Sequence, residues 1–279
     1  MLSVEDVHFY HEHGYLVMPG RFSPQETELL LSESRRLSGL EIPQRILESG
    51  GEQVRSIYAV HRHSDAFDRF TRDIRNLEPA RALLESEVYI HQTQLNPKAP
   101  FLGDVWEWHQ DYLYWQRDDG MPTPRALNVS VFLEEVTEFN GPIFVMPGSH
   151  RLSLDEETVT HQNGWENTLT ADIRHKITPD MLRELADRLG LVSIKGAPGT
   201  TVVFDGRLLH CSPPNLSGKR RTVIFIRYNS THNRLLPMEN PRPEWLASRD
   251  PTPLSALDRP FANPEWALSP KPTSNEEKI

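Results

Sequence analysis

Short runs rich in β-branched and aromatic residues recur through the second two-thirds of the chain, punctuated by Gly, Pro and Asn. They span Glu87 to Asn96, Ala126 to Leu133, Ile143 to Met146, Thr201 to Phe204 and Thr222 to Tyr228. That rhythm confines the chain to a sandwich or barrel of short strands. The 23 prolines in 279 residues argue the same way, because proline breaks helix interiors and central strands alike. Ahead of Glu87 the pattern is helical. Ser3 caps a first helix that Gly14 ends, and Tyr15 to Met18 reads as a strand. Ser23-Pro24-Gln25-Glu26 is a capping box with Pro at the first helical position, so a helix follows with Leu29, Leu30 and Leu37 inward and Gly39 as its stop. Ser64 opens another, with Phe67 and Phe70 facing the core. Thr178-Pro179-Asp180 to Gly190 reads as one capped helix among the strands. Arg151 to about Lys176 is polar and irregular, as a long loop or lid would be.

The formal charge of −9 makes nucleic acid and anionic membrane surfaces poor partners. No apolar run approaches membrane-spanning length, and the polar stretch Met1 to Tyr15 lacks the organisation of a secretion signal. With Cys211 as the one cysteine, no intrachain disulfide framework exists. A cytoplasmic enzyme fits these constraints; its oligomeric state is open.

Chemistry concentrates in Trp106-Glu107-Trp108-His109-Gln110-Asp111. Residues two apart in a strand share a side, so His109 and Asp111 can reach one metal together. A second histidine would complete a two-His, one-carboxylate facial triad with positions left open for cosubstrate and oxygen. His210, at the end of Phe204-Asp205-Gly206-Arg207-Leu208-Leu209-His210, lies 101 positions beyond His109, and Arg221 follows eleven residues later. A guanidinium beside such a metal can fork onto the far carboxylate of a dicarboxylate cosubstrate. Each residue alone also suits a plain structural role: His210 as a satisfied core histidine, Arg221 as a surface charge beside Lys219 and Arg220. Cys211 reads as packing, Trp106 and Trp108 as core or rim, and His150 as a local structural histidine. Tyr58 and His61 suit either a pocket or a structural role.

Taken together, these residues resemble the phytanoyl-CoA dioxygenase family of iron and 2-oxoglutarate oxygenases, from about residue 4 to residue 235. Gly141-Pro142, Pro147-Gly148-Ser149-His150 and Ser212-Pro213-Pro214-Asn215-Leu216-Ser217 extend the likeness. Two branches are most similar. Ectoine hydroxylases share Val54-Arg55-Ser56-Ile57, His91-Gln92 through Asn96-Pro97-Lys98, and Asp119-Gly120-Met121-Pro122. Hydroxylases of free aliphatic amino acids such as leucine share Arg45-Ile46-Leu47-Glu48, Gly103-Asp104-Val105-Trp106, and Val136-Thr137-Glu138-Phe139-Asn140-Gly141-Pro142.

The resemblance implies a mainly β fold with flanking helices, a double-stranded β-helix (jelly-roll, cupin-like) core. One domain is expected over residues 1–268, and the polar composition of 269–279 reads as a disordered tail. The resemblance implies Fe(II) at His109, Asp111 and His210, with 2-oxoglutarate and O2 as cosubstrates and Arg221, Lys98 and Ser212 on 2-oxoglutarate. Gln92 and Trp115 match substrate-contacting positions, and Arg55 and Tyr58 would suit a zwitterion in the same pocket. Gln110-Asp111-Tyr112-Leu113-Tyr114-Trp115-Gln116 departs from the ectoine hydroxylase pattern, which turns the expectation from ectoine toward a free amino acid in specialised metabolism. Asp111 itself speaks against the halogenating relatives, where a small residue stands in its place. A larger natural-product intermediate, a carrier-bound acyl group, or a non-catalytic ligand-binding β-helix protein are the alternatives.

Overall fold

A computed structural model describes residues 1–152, 154, 159–161, 165–171 and 173–263; the tail expected at 269–279 lies outside the described residues. Helices open the chain. In α1 (Val4–His13) Ser3 and Asp6 cap each other reciprocally, and Gly14 ends the helix at φ 82°, a conformation that favours glycine. β1 (Tyr15–Met18) leads into α2 (Pro24–Ser38), which carries the expected Ser23–Glu26 capping box. Leu30 and Leu37 are fully buried, but Leu29 is 38% exposed, because it sits one position off the stripe formed by Leu30, Ser34 and Leu37. β2 (Arg45–Leu47) and β3 (Val54–Tyr58) precede α3 (Val60–His63), α4 (Asp65–Thr71) and α5 (Ile74–Leu84). Ser64 caps α4, and both Phe67 and Phe70 are fully buried, as the sequence predicts.

The remaining elements are β4 (Val88–Lys98), β5 (Trp106–His109), α6 (Asp111–Asp119), β6 (Ala126–Phe132), β7 (Ile143–Val145), β8 (Val159–His161), β9 (His175–Ile177), α7 (Pro179–Leu189), β10 (Val192–Ile194), β11 (Thr201–Asp205), β12 (His210–Ser212) and β13 (Arg221–Ser230). They form a seven-stranded sheet ordered β1-β11-β6-β13-β4-β3-β2 and a four-stranded sheet ordered β10-β7-β12-β5, antiparallel throughout. This is the jelly-roll architecture. The segment expected to be an irregular loop carries a two-stranded ribbon instead: β8 pairs with β9, and a 3-10 turn spans Trp165–Leu169. Polar composition hid the ribbon, since its three-residue strands are too short to show a period.

Alternation sorts the large sheet into two faces. Leu127, Val129 and Val131 of β6 and Ile224, Ile226 and Tyr228 of β13 pack under the helices with Leu30, Leu37, Phe67, Phe70 and Leu77. The opposite face meets the small sheet through Phe132, Val145, Ile194, Val202, Phe204 and Val223. β4 reaches that arrangement by a bulge. Its pairing with β13 runs Tyr228↔Ile90 and then Arg227↔Gln92, so His91 has no opposite number. The extra residue flips the parity of β4. Val88, Ile90 and Leu95 stay with the helices, while Gln92, Gln94, Asn96 and Lys98 share the inner face.

The segment after β13 belongs to the helical layer. Phe261 is fully buried, its ring 5.0 Å from Phe70 and 6.1 Å from Phe22, and its amide donates to Asp73. Replacing it empties a site lined by aromatic rings that cannot collapse. Phe261→Ala should lower unfolding stability by about 3–5 kcal/mol, read by urea denaturation; a change under about 1 kcal/mol would mean that the segment does not contribute to the core.

Candidate active site

The two histidines meet because their strands do. β12 pairs with β5 in a register that sets His210 directly opposite His109, and their ring centroids are 4.2 Å apart. Asp111 arrives differently from the expectation. β5 stops at His109, Gln110 is extended, and Asp111 is the first residue of α6. Aspartate favours the first turn of a helix, and that preference ends the strand one residue early. Its carboxylate still converges: Oδ1 lies 3.7 Å from His109 Nε2 and Oδ2 lies 3.8 Å from His210 Nε2. One ligand atom from each residue falls within 4.8 Å of the others, and all three residues are buried.

The donor set suits a divalent metal. His109 Nδ1 lies 2.6 Å from the Glu107 carbonyl and His210 Nδ1 lies 2.9 Å from the Leu208 carbonyl. A carbonyl can only accept, so Nδ1 carries the proton and Nε2 presents a lone pair toward Asp111. Burial holds both imidazoles below the usual histidine range, His109 down to about 4, so they stay neutral and ready to ligate. Burial alone would raise the Asp111 carboxyl, but Arg227, the two histidines and the Asn128 amide outweigh it and keep the group ionised. Asn128 Nδ2 donates to Asp111 Oδ2 at 2.9 Å.

Arg221 lies on the inner face of β13, fully buried. Its Nε and Nη2 donate to the Gly141 carbonyl at 2.9 and 2.5 Å, Nη1 to Asn96 Oδ1 at 2.7 Å, and Nη2 to Ser212 Oγ at 2.9 Å. No carboxylate comes within ion-pair distance of it among the described residues, and burial pushes its guanidinium below the usual arginine range. Neutral acceptors each contribute roughly 1 kcal/mol net, whereas burying a charge costs several. The site therefore favours an anion. Arg221, Ser212 and Asn96 share one cavity wall with the metal-ligand candidates.

The substrate candidates divide. Gln92, Trp115 and Tyr58 line the same cavity. Gln92 is held by a 2.6 Å bond to the Leu246 carbonyl, Tyr58 accepts from Gln94, and Trp115 packs so closely on Gly206 that a side chain there would collide with its ring. Arg55 and Lys98 lie behind the wall rather than in it. Arg55 stacks on Trp106 at 3.9 Å and spends its donors on Glu48 and the carbonyls of Val105, Leu169 and Thr170, so it fastens the 165–171 segment to β3. Lys98 Nζ donates to the carbonyls of Ser212 and Pro213, and burial drives its ammonium well below the usual lysine range. Trp106 is on the cavity rim, and His150 is structural, bonded to the His11 carbonyl. Cys211 contributes to the cavity wall, where the strand register shifts between its neighbours, and burial raises its thiol to about 12.

Arg227, Gln94, Asn128, Arg242, Leu169 and Leu246 complete the picture and were not singled out by motif. The first three follow from period two, because Arg227 shares a face with Arg221, and Gln94 with Gln92 and Lys98. Arg242 and Leu246 sit beyond the last strand, where no pattern points to them. Arg242 forks onto Asp119 at 2.7 Å through two nitrogens, and Asp119 also takes His91 at 3.0 Å.

A jelly roll that holds two histidines and a carboxylate on one wall has the donor set of a non-haem metal oxygenase. Residues 10–223 match the phytanoyl-CoA dioxygenase (PhyH) family, and the chain belongs to it. It is 37% identical over 255 residues to an ectoine dioxygenase of Bordetella bronchiseptica, covering 89% of this chain and 83% of that relative. It is 32% identical over 253 residues to the L-proline trans-4-hydroxylase of Streptomyces griseoviridis, covering 89% and 94%. EctD from S. alaskensis, solved with 2-oxoglutarate and 5-hydroxyectoine, superposes with a TM-score of 0.83 at 35% identity over 93% of this chain and 89% of that one. Its form with bound Fe superposes at 0.79.

Asn128 fixes the carboxylate without being a ligand candidate. Asn128→Ala should weaken binding of Fe(II) or Co(II) about 10- to 100-fold, measured by anaerobic titration calorimetry with the circular dichroism spectrum unchanged. Wild-type affinity would remove Asn128 from the account of the site.

Proposed function

We propose that this protein is an Fe(II)- and 2-oxoglutarate-dependent dioxygenase that hydroxylates an unactivated C–H bond of a free amino acid or similar small zwitterion. His109, Asp111 and His210 would hold the iron, and Arg221 with Ser212 would take 2-oxoglutarate by its far carboxylate. Residues 1–268 form one oxygenase domain in this reading, in a cytoplasmic setting, with a small molecule rather than nucleic acid or membrane as partner. The family and the relatives above, which act on ectoine and proline, support the chemistry. The observation that carries it is the pairing of a buried two-His, one-carboxylate cluster with a buried arginine that lacks an anion.

Bound iron with 2-oxoglutarate and O2 supplies the oxidising power, and 2-oxoglutarate leaves as succinate and carbon dioxide. The chain's residues do the rest. The carbonyls of Glu107 and Leu208 keep both imidazoles in the ligating tautomer. Arg221, fixed by Gly141, Asn96 and Ser212, is already shaped to receive two oxygens, so little ordering entropy is spent on binding. Gln92, Trp115 and Tyr58 shape the substrate end. Leu169, Ile173 and Leu246 close the wall with apolar surface, which keeps bulk water from the reacting carbon. Arg55 and Lys98 support the site from behind, one by tethering the 165–171 segment, the other by holding the turn after Ser212.

The test is anaerobic loading with Fe(II) and 2-oxoglutarate, followed by aerobic succinate release against a panel of free amino acids. One amino acid should stimulate succinate and gain one oxygen by mass. Arg221→Ala should raise the KM for 2-oxoglutarate about 100-fold or more. Loading without the metal-to-ligand absorption band would overturn the reading.

A further inference from the structure

Among the described residues, three arginines line the cavity, against one carboxylate, Asp111. Two of the three have an assignment. Arg221 sits at the 2-oxoglutarate end, and Arg242 is neutralised from behind by the two-point pair with Asp119. Arg227 has neither. It is 7% exposed, and Nη2 donates to Gln94 Oε1 at 3.0 Å. Its Nε and Nη1 are buried with no hydrogen-bond partner. Asp111 Oδ2 approaches Nε only to 3.8 Å, too far for a hydrogen bond. A divalent cation held by Asp111 would draw on the same negative charge, which leaves Arg227 still less compensated.

Position gives this cation its meaning. Arg227 and Arg221 share one face of β13, six residues apart, so their Cα atoms are separated by about 20 Å. His109, Asp111 and His210 line the same cavity, with Asp111 3.8 Å from Arg227. One strand therefore offers two candidate anion sites in the cavity that holds the candidate metal centre. Gln94, seated opposite Phe225, braces the second guanidinium from the neighbouring strand. The Phe225 ring lies 5.5 Å from the Arg227 guanidinium carbon, and the apolar lining of the cavity combines such aromatic rings with Leu169, Ile173 and Leu246.

We infer that Arg227 binds the substrate's carboxylate, so that the substrate class is a small carboxylate with an apolar body that reaches from Arg227 toward the metal. The inference rests on the oxygenase reading above and deepens it. An ammonium finds no such partner, because Asp111 is the one acidic residue lining the cavity among the described residues. Specificity is carried by the carboxylate, and the amine contributes little.

Titration calorimetry tests this with L-leucine, L-proline and L-norvaline against their carboxamides, which keep the amine and the side chain and lose only the charge. It is run on the metal-free protein and on protein loaded anaerobically with Fe(II) and 2-oxoglutarate. Wild type should bind at least one of the acids about 10- to 100-fold more tightly than its amide. In Arg227→Gln that preference should fall to less than about threefold, and Arg227→Lys should recover part of it, with both variants keeping the wild-type circular dichroism spectrum. Equal binding of acid and amide by wild type, no binding of any acid, or a preference that survives in Arg227→Gln would each overturn the inference. Loss of the Fe(II)–2-oxoglutarate absorption band in Arg227→Gln, with the acid preference intact, would assign Arg227 to the metal centre instead. If wild type itself shows no band, the oxygenase reading fails, and the metal-free comparison of acid with amide still decides the role of Arg227.

Discussion

Charge held out of water organises the inner half of this molecule. Arg221, Arg227, Arg242, Lys98, Asp111 and Asp119 are each less than a tenth exposed, and an ion so placed costs several kcal/mol unless it is matched. Arg242 is matched within the chain by Asp119. Lys98 and Arg221 are held by neutral acceptors alone, and Arg227 by less than that. Arg221 and Arg227 line the cavity that also holds the two histidines. A core evolved for stability alone would fill these positions with Val or Leu, as β6 and β13 do on the face that meets the helices. The cost is carried by that other face, where aromatic and aliphatic side chains from α2, α4 and α5 bury against the sheet.

Much of this was legible in the sequence, and the reason is periodicity. The strands from Glu87 onward, the capping boxes at Ser3 and Ser23, and the inward Phe67 and Phe70 all follow from local rules that the tertiary structure leaves undisturbed. His109 and His210 were found as a pair because their chemistry is unusual in a strand. What hid was set by events without a local period. Asp111 looked like a strand residue because the alternation from His109 continues through Gln110; the helix beginning there shows only in the carboxylate's preference for a first turn. The β8–β9 ribbon is too short to declare itself. Arg55 had the right chemistry for a zwitterion, but its donors are consumed by carbonyls more than a hundred residues away, a relation that no window along the chain contains.

The bulge at His91 shows how a single residue can move a site. Without it, the parity that buries Val88 and Ile90 under the helices would carry Gln92, Gln94, Asn96 and Lys98 to the same apolar side. With it, these four share the inner face, Gln92, Gln94 and Asn96 line the cavity, and Asn96 and Gln94 become the braces of Arg221 and Arg227. The switch is written in the sequence as a change of apolar parity, from Val88 and Ile90 to Thr93 and Leu95. The extra residue is put to use as well, since His91 bonds Asp119, which in turn holds Arg242 at the cavity.

That chain of contacts separates two functions within one arginine-rich wall. Asp119 sits at the end of α6, whose first residue is Asp111, so one short helix supplies the metal-ligand candidate at its start and the neutralising carboxylate at its finish. A helix of nine residues spans about 13 Å, enough to keep the two negative charges apart. Arg242 is thereby held as a fixed, neutral pair, and Arg227 is left as the cation without a full partner. Had Asp119 faced Arg227 instead, the cavity would carry its surplus charge on Arg242, beyond the last strand. As built, the surplus lies beside Asp111, where an anionic group would be held next to the candidate metal centre.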